Sequence, residues 1–164
     1  MEQFKKVLDS LFAWILKVAM VMLTAMVVIV FLNVVLRYGF HSGVHWAEEI
    51  SLVIVIWFTF ISMALGVKEN LHINITVLPR KLPEKFFIIL DVIKDALEIL
   101  IGAILILFGW KLTLNGARSF LPATHIPNSI NYVVLPIVGI FIILYAVLYL
   151  LEDLKRYKKG GVQS

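Results

Sequence analysis

The sequence predicts an all-α membrane protein with four transmembrane helices, and three observations lead to this prediction. Of the 164 residues, 61% are hydrophobic and only 16% are charged, whereas a soluble domain usually has about 25% charged residues. Four apolar runs are each long enough to cross a hydrocarbon core about 30 Å thick, for which about 20 residues suffice. Lysine and arginine are concentrated in alternate connections between these runs. The excess apolar surface is therefore expected to face lipid or another membrane subunit.

The order of apolar and polar residues predicts the position of each helix along the chain. One membrane domain is expected over residues 1–164, with spans at about 18–36, 50–67, 86–110 and 132–151. In residues 1–17, apolar residues recur at three- and four-residue steps, and Lys5 and Lys6 fall on the opposite side. This pattern indicates an interfacial amphipathic helix that leads into the first span. A plain basic flank is the alternative interpretation.

The basic residues predict the orientation of the chain. Three precede the first span, five lie in the second connection or just inside the third span, and four lie in the C-terminal tail. The opposite side has only Arg37, Lys111 and Arg118. Since basic residues are retained on the cytoplasmic side of a membrane, both termini are expected in the cytoplasm.

The connections differ in character. The first, 37–45, is short, so spans one and two are expected to be antiparallel neighbours. Residues 71–82 alternate apolar and polar side chains, which predicts an extended path, and Pro83 suits the first turn of the next helix. Residues 115–131 form the main periplasmic loop of this topology.

Two acids open the second span. Glu48 and Glu49 stand where carboxylates suit a helix N-terminus, and Arg37 lies one short loop away. An ion pair that caps the hairpin is one interpretation, and contact with a partner subunit is the other. A proton-coupling carboxylate is expected deeper within a span.

The third helix has a polar face. Charged residues and glycines recur there at helical spacing: Asp91, Lys94, Asp95, Glu98, Gly102 and Gly109. The face is either solvated or packed against another helix, with small residues that allow close approach. We favour packing because a solvated face does not need glycines. Lys94 can neutralise Asp91 or Glu98 along it.

Several classes of site are not expected. The histidines His41, His45, His72 and His125 all fall in connections, which argues against haem or metal ligation. The chain has no cysteine, which excludes disulfides, Fe–S clusters and dithiol chemistry. No phosphate-binding loop or catalytic triad is present, and the basic residues do not cluster as for nucleic acid. We therefore expect neither an enzyme nor a cofactor.

A series of short motifs resembles one family over most of the chain. They are, in order, Arg37, Trp46-Ala47-Glu48-Glu49, Trp57-Phe58-Thr59-Phe60, Lys68-Glu69, His72-Ile73, Leu82-Pro83, Ile126-Pro127, Tyr132 and Leu135-Pro136. Together they resemble the small membrane subunit (DctQ type) of tripartite ATP-independent periplasmic (TRAP) transporters.

The resemblance implies a role in transport. In this family a periplasmic binding protein captures an organic acid, and a large membrane subunit carries it inward, driven by a sodium gradient. The small subunit binds the large one in the bacterial inner membrane and extends its rigid scaffold. The expected partners are thus the large subunit, the binding protein and membrane lipids.

Candidate contact residues follow from these motifs and patterns. The candidate interface with the partner subunit comprises Arg37, Trp46, Glu48, Glu49, Trp57, Asp91, Lys94, Asp95, Glu98, Gly102 and Gly109. The candidate interfacial or lipid contacts are Lys5, Lys6, Trp14, Lys68 and His72. The alternatives are a stand-alone four-helix transporter, which needs a carboxylate in the first span that is absent here, and a membrane assembly or anchor subunit.

Overall fold

A computed structural model describes residues 2–69 and 84–160 of the chain, and this part is all-helical apart from turns and one isolated bridge. Its helices are α1 (Glu2–Gly39), α2 (His45–Lys68), α3 (Glu84–Gly116), the short α4 (Ser129–Tyr132) and α5 (Val134–Gly160). The predicted extended path of 71–82, with His72, lies outside the described residues. The all-α class is therefore confirmed for the described part.

Helix α1 runs unbroken through the predicted junction at residue 17. Its 38 residues correspond to roughly 57 Å at 1.5 Å per residue, nearly twice the thickness of a hydrocarbon core. No glycine or proline precedes Gly39 in this helix, so the sequence contains nothing to interrupt its hydrogen bonds. The interfacial position of its first half stays a prediction.

Three stretches in the described part are long and apolar enough to cross a membrane: Lys6–Gly39, His45–Lys68 and Ser129–Leu151. Helix α3 is long enough at 33 residues. It falls short in apolar character because Asp91, Lys94, Asp95 and Glu98 interrupt its first half.

The chain forms two compact units. The first contains α1, most of α2, the last turn of α3 and the loop that continues through α4. The second contains the end of α2, most of α3, and α5.

Side-chain hydrogen bonds stabilise the first unit. The Asn33 side-chain oxygen, within α1, accepts a hydrogen bond from the Val44 N–H at 2.7 Å, which closes the turn between α1 and α2. The Trp57 indole N–H donates to the Ile130 carbonyl at 2.8 Å and joins α2 to α4. Each bond satisfies a polar side chain of an apolar helix within the protein.

The second unit is held by close contact between α3 and α5. A Cβ at Gly102 would lie 2.6 Å from Ile143 Cγ1 and 3.0 Å from the Gly139 carbonyl oxygen, and a Cβ at Gly139 would lie 2.8 Å from the Gly102 oxygen. The two backbones therefore touch at this point, an approach that glycine permits. Around it α5 buries Val138 and Ile142 almost completely.

The second predicted glycine also packs on α5. A Cβ at Gly109 would lie 2.6 Å from Leu135 Cβ and 3.0 Å from Pro136 Cδ. Of the two interpretations of this face, the structure shows the packed one, and the helix that fills it is α5 of the same chain.

Replacing Gly139 by alanine tests this contact. The added methyl meets backbone on α3, so we expect Gly139→Ala to destabilise the chain by roughly 1–3 kcal/mol. Each kcal/mol lowers Tm by about 2–4 °C in a chain of this size. Thermal unfolding in detergent measures the shift.

The matched control is Gly39→Ala, because no atom lies within 4 Å of a Cβ at Gly39. Its Tm should equal or exceed that of the original chain. Equal Tm values for the two variants would contradict the close backbone contact.

Candidate functional site

The two acids at the start of α2 have different environments. Glu49 Oε1 accepts the Ala123 N–H at 2.7 Å, and Oε2 accepts the Thr124 N–H at 2.8 Å and the Thr124 hydroxyl at 2.7 Å. Three donors thus surround one carboxylate. Glu49 therefore anchors the loop after α3 to the first turn of α2.

The loop held by Glu49 has a defined conformation. Phe120 and Pro127 form an antiparallel bridge, and within it the Leu121 N–H donates to the Ile126 carbonyl at 2.8 Å. His125 adopts a positive φ of 54°, and its N–H donates to the Leu121 carbonyl at 3.0 Å. Leu121 is buried while Phe120 is exposed. The loop is held by these internal hydrogen bonds, and the apolar Phe120 side chain is exposed on its surface.

Of the two acids that could pair with Arg37, Glu48 forms the ion pair. The Arg37 guanidinium lies 3.2 Å from Glu48 Oε1, and both side chains are about two-thirds exposed. Such exposed pairs contribute little to stability. Arg37 and Glu48 line an open polar hollow together with His41 and His45. The hairpin-capping interpretation of Glu48 is therefore the one the geometry supports.

Lys94, Asp95 and Glu98 on α3 are buried rather than solvated. Lys94 Nζ lies 3.3 Å from Asp95 Oδ1, with side chains 9% and 0% exposed, and Glu98 is 6% exposed. The Lys94 ammonium also lies 5.9 Å from the centre of the Tyr149 ring on α5. The Tyr149 hydroxyl donates to the Lys68 carbonyl at the end of α2. This group of residues joins α2, α3 and α5.

The remaining predicted contact residues are distributed over the chain. Trp14 and Trp46 are exposed, as is Lys6, and Asp91 is half-buried. Trp57 is half-buried and occupied by its bond to Ile130. The Lys68 side chain is largely buried, 4.0 Å from Glu69. The Lys5 side chain and His72 lie outside the described part.

Three structural residues were not singled out from the sequence. Asn33 interrupts an apolar run, which is a readable signal, but its partner is a backbone N–H. The Thr124 hydroxyl donates a hydrogen bond to Glu49, which is 75 residues away in the sequence, and no local sequence pattern indicates that contact. Tyr149 sits among apolar residues of α5, as any core tyrosine would.

The fold and these contacts define a class of protein. Apart from the short α4, the described helices are long and rich in apolar residues, and Asn33, Glu49 and Trp57 bind to other parts of the chain. Among the described residues no group of three or more His, Cys, Asp or Glu could hold a metal ion. The chain is a multi-pass helical membrane protein in which polar groups fix helices and loops.

Comparison with known proteins identifies the family. Residues 26–156 match the family model for the DctQ component of tripartite ATP-independent periplasmic transporters. This chain belongs to that family and is a membrane subunit of a TRAP transporter. Members of the family are transporter subunits and not enzymes.

Three relatives show how far the similarity extends. A TRAP transporter small permease protein of Haemophilus influenzae is 35% identical over 86% of this chain and 88% of its own length. The sialic acid TRAP transporter small permease protein SiaQ of Vibrio cholerae is 30% identical over 60% of this chain and 57% of its own. The C4-dicarboxylate small permease protein DctQ of the same species is 27% identical over 53% and 38%.

Replacing Glu49 tests its role in holding the loop. Glu49→Ala removes the acceptor of the Ala123 and Thr124 amides, so we expect these amides to exchange with deuterium about tenfold faster. Hydrogen exchange of the chain in detergent, read at Leu121–Asn128, measures the effect.

The neighbouring acid supplies the control. Glu48→Ala removes an equal charge from the same helical turn without touching the loop, so exchange at 121–128 should stay unchanged. Equal acceleration in both variants would contradict a specific anchor at Glu49.

Proposed function

We propose that this chain is the small permease subunit that braces the large membrane subunit of a TRAP transporter. The transporter takes up an organic acid with sodium, and a periplasmic binding protein delivers that acid. One observation supports the bracing role most directly. In the most apolar 18-residue stretch of α1, only 6% of the residues are buried within the chain. The corresponding share is 33% for α2 and 44% for Ser129–Leu151. Helix α1 thus has a wide apolar surface for another membrane protein.

The outward surface of α1 is a continuous stripe. Val21, Val28 and Phe31 are 69%, 51% and 66% exposed, and Val35 continues the row at helical spacing. On the other side, Asn33 holds the turn to α2. The stripe is therefore available while the opposite side is fixed in the chain. We assign the stripe to the large subunit.

The proposed topology has four spans with both termini in the cytoplasm of a bacterium and the protein in its inner membrane. Helix α3 carries no charged residue between Glu98 and Lys111. Its charged residues Lys94 and Asp95 are buried, so they do not face lipid, where charges are costly. The lysine and arginine distribution supports the orientation.

The substrate class rests on the relatives. One is named for C4-dicarboxylate and another for sialic acid, and both are organic acids. Among the described residues, Glu49 binds the loop after α3, Arg37 pairs with Glu48, and Lys94 pairs with Asp95. This supports placing substrate selectivity in the large subunit and the binding protein.

Cross-linking tests the proposed surface. The chain contains no cysteine, so Phe31→Cys introduces a unique attachment point for a photoactivatable cross-linker. We expect the labelled chain, co-expressed with the large subunit in membranes, to form a covalent adduct with it. Mass spectrometry of the adduct identifies the partner.

Leu107→Cys is a matched control, because Leu107 on α3 and Phe31 on α1 are both 66% exposed. It should yield lipid adducts and little protein adduct. Equal adducts from both positions, or none from Phe31→Cys in a complex that co-purifies, would refute the α1 surface. Failure of the two proteins to co-purify would refute the subunit role itself.

A further inference from the structure

The turn between α1 and α2 contains an open hollow of about 410 Å³. All of its lining belongs to the first compact unit. The two stretches that meet at this turn, Lys6–Gly39 and His45–Lys68, are both long and apolar enough to cross a membrane. A turn between two spans lies at the membrane surface, and the half-exposed Trp46 beside it is a residue typical of that level. The hollow therefore lies at the depth of the lipid headgroups.

The hollow contains groups of both charge signs. Arg37 and Glu48 line it, and their ion pair at 3.2 Å joins one guanidinium nitrogen to one carboxylate oxygen. A guanidinium has five N–H donors and both side chains are about two-thirds exposed, so each can bind a further group. His41 and His45 add ring nitrogens to the lining. The hollow thus suits a ligand that has both an anionic and a cationic group.

Local packing holds the Arg37 side chain at the hollow. A Cβ at Gly43 would lie 3.3 Å from Arg37 Cγ and 3.5 Å from its Cδ, so the loop backbone packs against the aliphatic part of that side chain. The hydrogen bond from the Val44 N–H to Asn33 closes the same turn. Helix α2 begins at His45, and the N-terminus of a helix favours a phosphate group. A place for an anion therefore exists between Arg37 and the start of α2.

An apolar groove of about 150 Å³ continues from the hollow. The groove and the hollow share Asn33 and Val44. Ile29, Leu32 and Leu36 line the groove along α1, and they are different residues from the stripe assigned to the large subunit. A polar hollow at headgroup depth and an apolar groove along a membrane-spanning helix match the two parts of a phospholipid, since basic pockets between such helices bind lipid headgroups.

We propose that the hollow and the groove bind one phospholipid whose headgroup carries a phosphate and a primary ammonium group. The phosphate lies beside Arg37 and the histidine rings, the ammonium lies beside Glu48, and one acyl chain follows the groove towards Ile29. An anionic headgroup without an ammonium group brings a like charge close to Glu48, so it binds more weakly. The bound lipid contacts both α1 and α2 at their turn. The site needs this chain alone and does not depend on the proposed function.

Native mass spectrometry of the full chain in detergent tests the site. The chain is mixed with equal amounts of phosphatidylethanolamine and phosphatidylglycerol that have identical acyl chains, and we expect several-fold more of the first lipid to bind. Arg37→Gln removes charge-assisted hydrogen bonds to the phosphate, so binding of phosphatidylethanolamine should weaken about tenfold. Glu48→Gln removes the partner of the ammonium group, so the preference between the two lipids should shrink.

The matched control is Arg118→Gln, which removes an exposed arginine of the same unit and should leave lipid binding unchanged. Equal weakening by the two arginine variants, or equal binding of the two lipids to the original chain, would overturn the proposal.

Two further measurements separate a lipid from other occupants of the hollow. Glycerophosphoethanolamine, which has the same headgroup without acyl chains, should not displace the lipid at equal concentration. Displacement as efficient as that by the full lipid would identify a soluble phosphate compound as the ligand and overturn the proposal. The complex with the large subunit should retain phosphatidylethanolamine, and release of the lipid on assembly would assign the hollow to the protein partner instead.

Discussion

The structure depends on one constraint of the hydrocarbon environment: a polar group that has no water must find its partner within the protein. The Asn33 side-chain oxygen accepts a hydrogen bond from the Val44 N–H, and the Trp57 indole N–H donates to the Ile130 carbonyl. Tyr149 donates to the Lys68 carbonyl. Each bond joins two elements that the apolar side chains alone would leave free to slide. Polar residues, though few, therefore set where the apolar helices meet.

Because polar groups bind within the chain, the polar side chains hold the fold together and the apolar side chains of α1 are left on the surface. The carboxylate of Glu49 is used to hold a loop, and the Lys94–Asp95 pair is enclosed beside α5. Helix α1, by contrast, exposes an apolar stripe along much of its length. This stripe is the surface that we assign to the large subunit, while the polar contacts hold the rest of the chain together.

The sequence predicted the helices better than their ends and their partners. The span at 50–67 became α2 (His45–Lys68), and the span at 86–110 became α3 (Glu84–Gly116), because an apolar run marks where lipid lies while the helix continues into polar flanks. The short loop indicates that Arg37 can pair with one of the two acids, and the structure pairs it with Glu48. The Glu49–Thr124 contact was not predicted, since backbone donors leave no pattern in a sequence. The polar face of α3 was recognised, but which helix covers it depends on tertiary packing.

In the proposed role, this chain supports a transporter without transporting substrate itself. Reconstituted vesicles test it directly, with the large TRAP subunit, the binding protein loaded with its organic acid, and a sodium gradient. We expect strong uptake when this chain is present, greatly reduced uptake when it is omitted, and none when it is the only protein in the vesicle. Uptake by vesicles that hold this chain alone would contradict the supporting role.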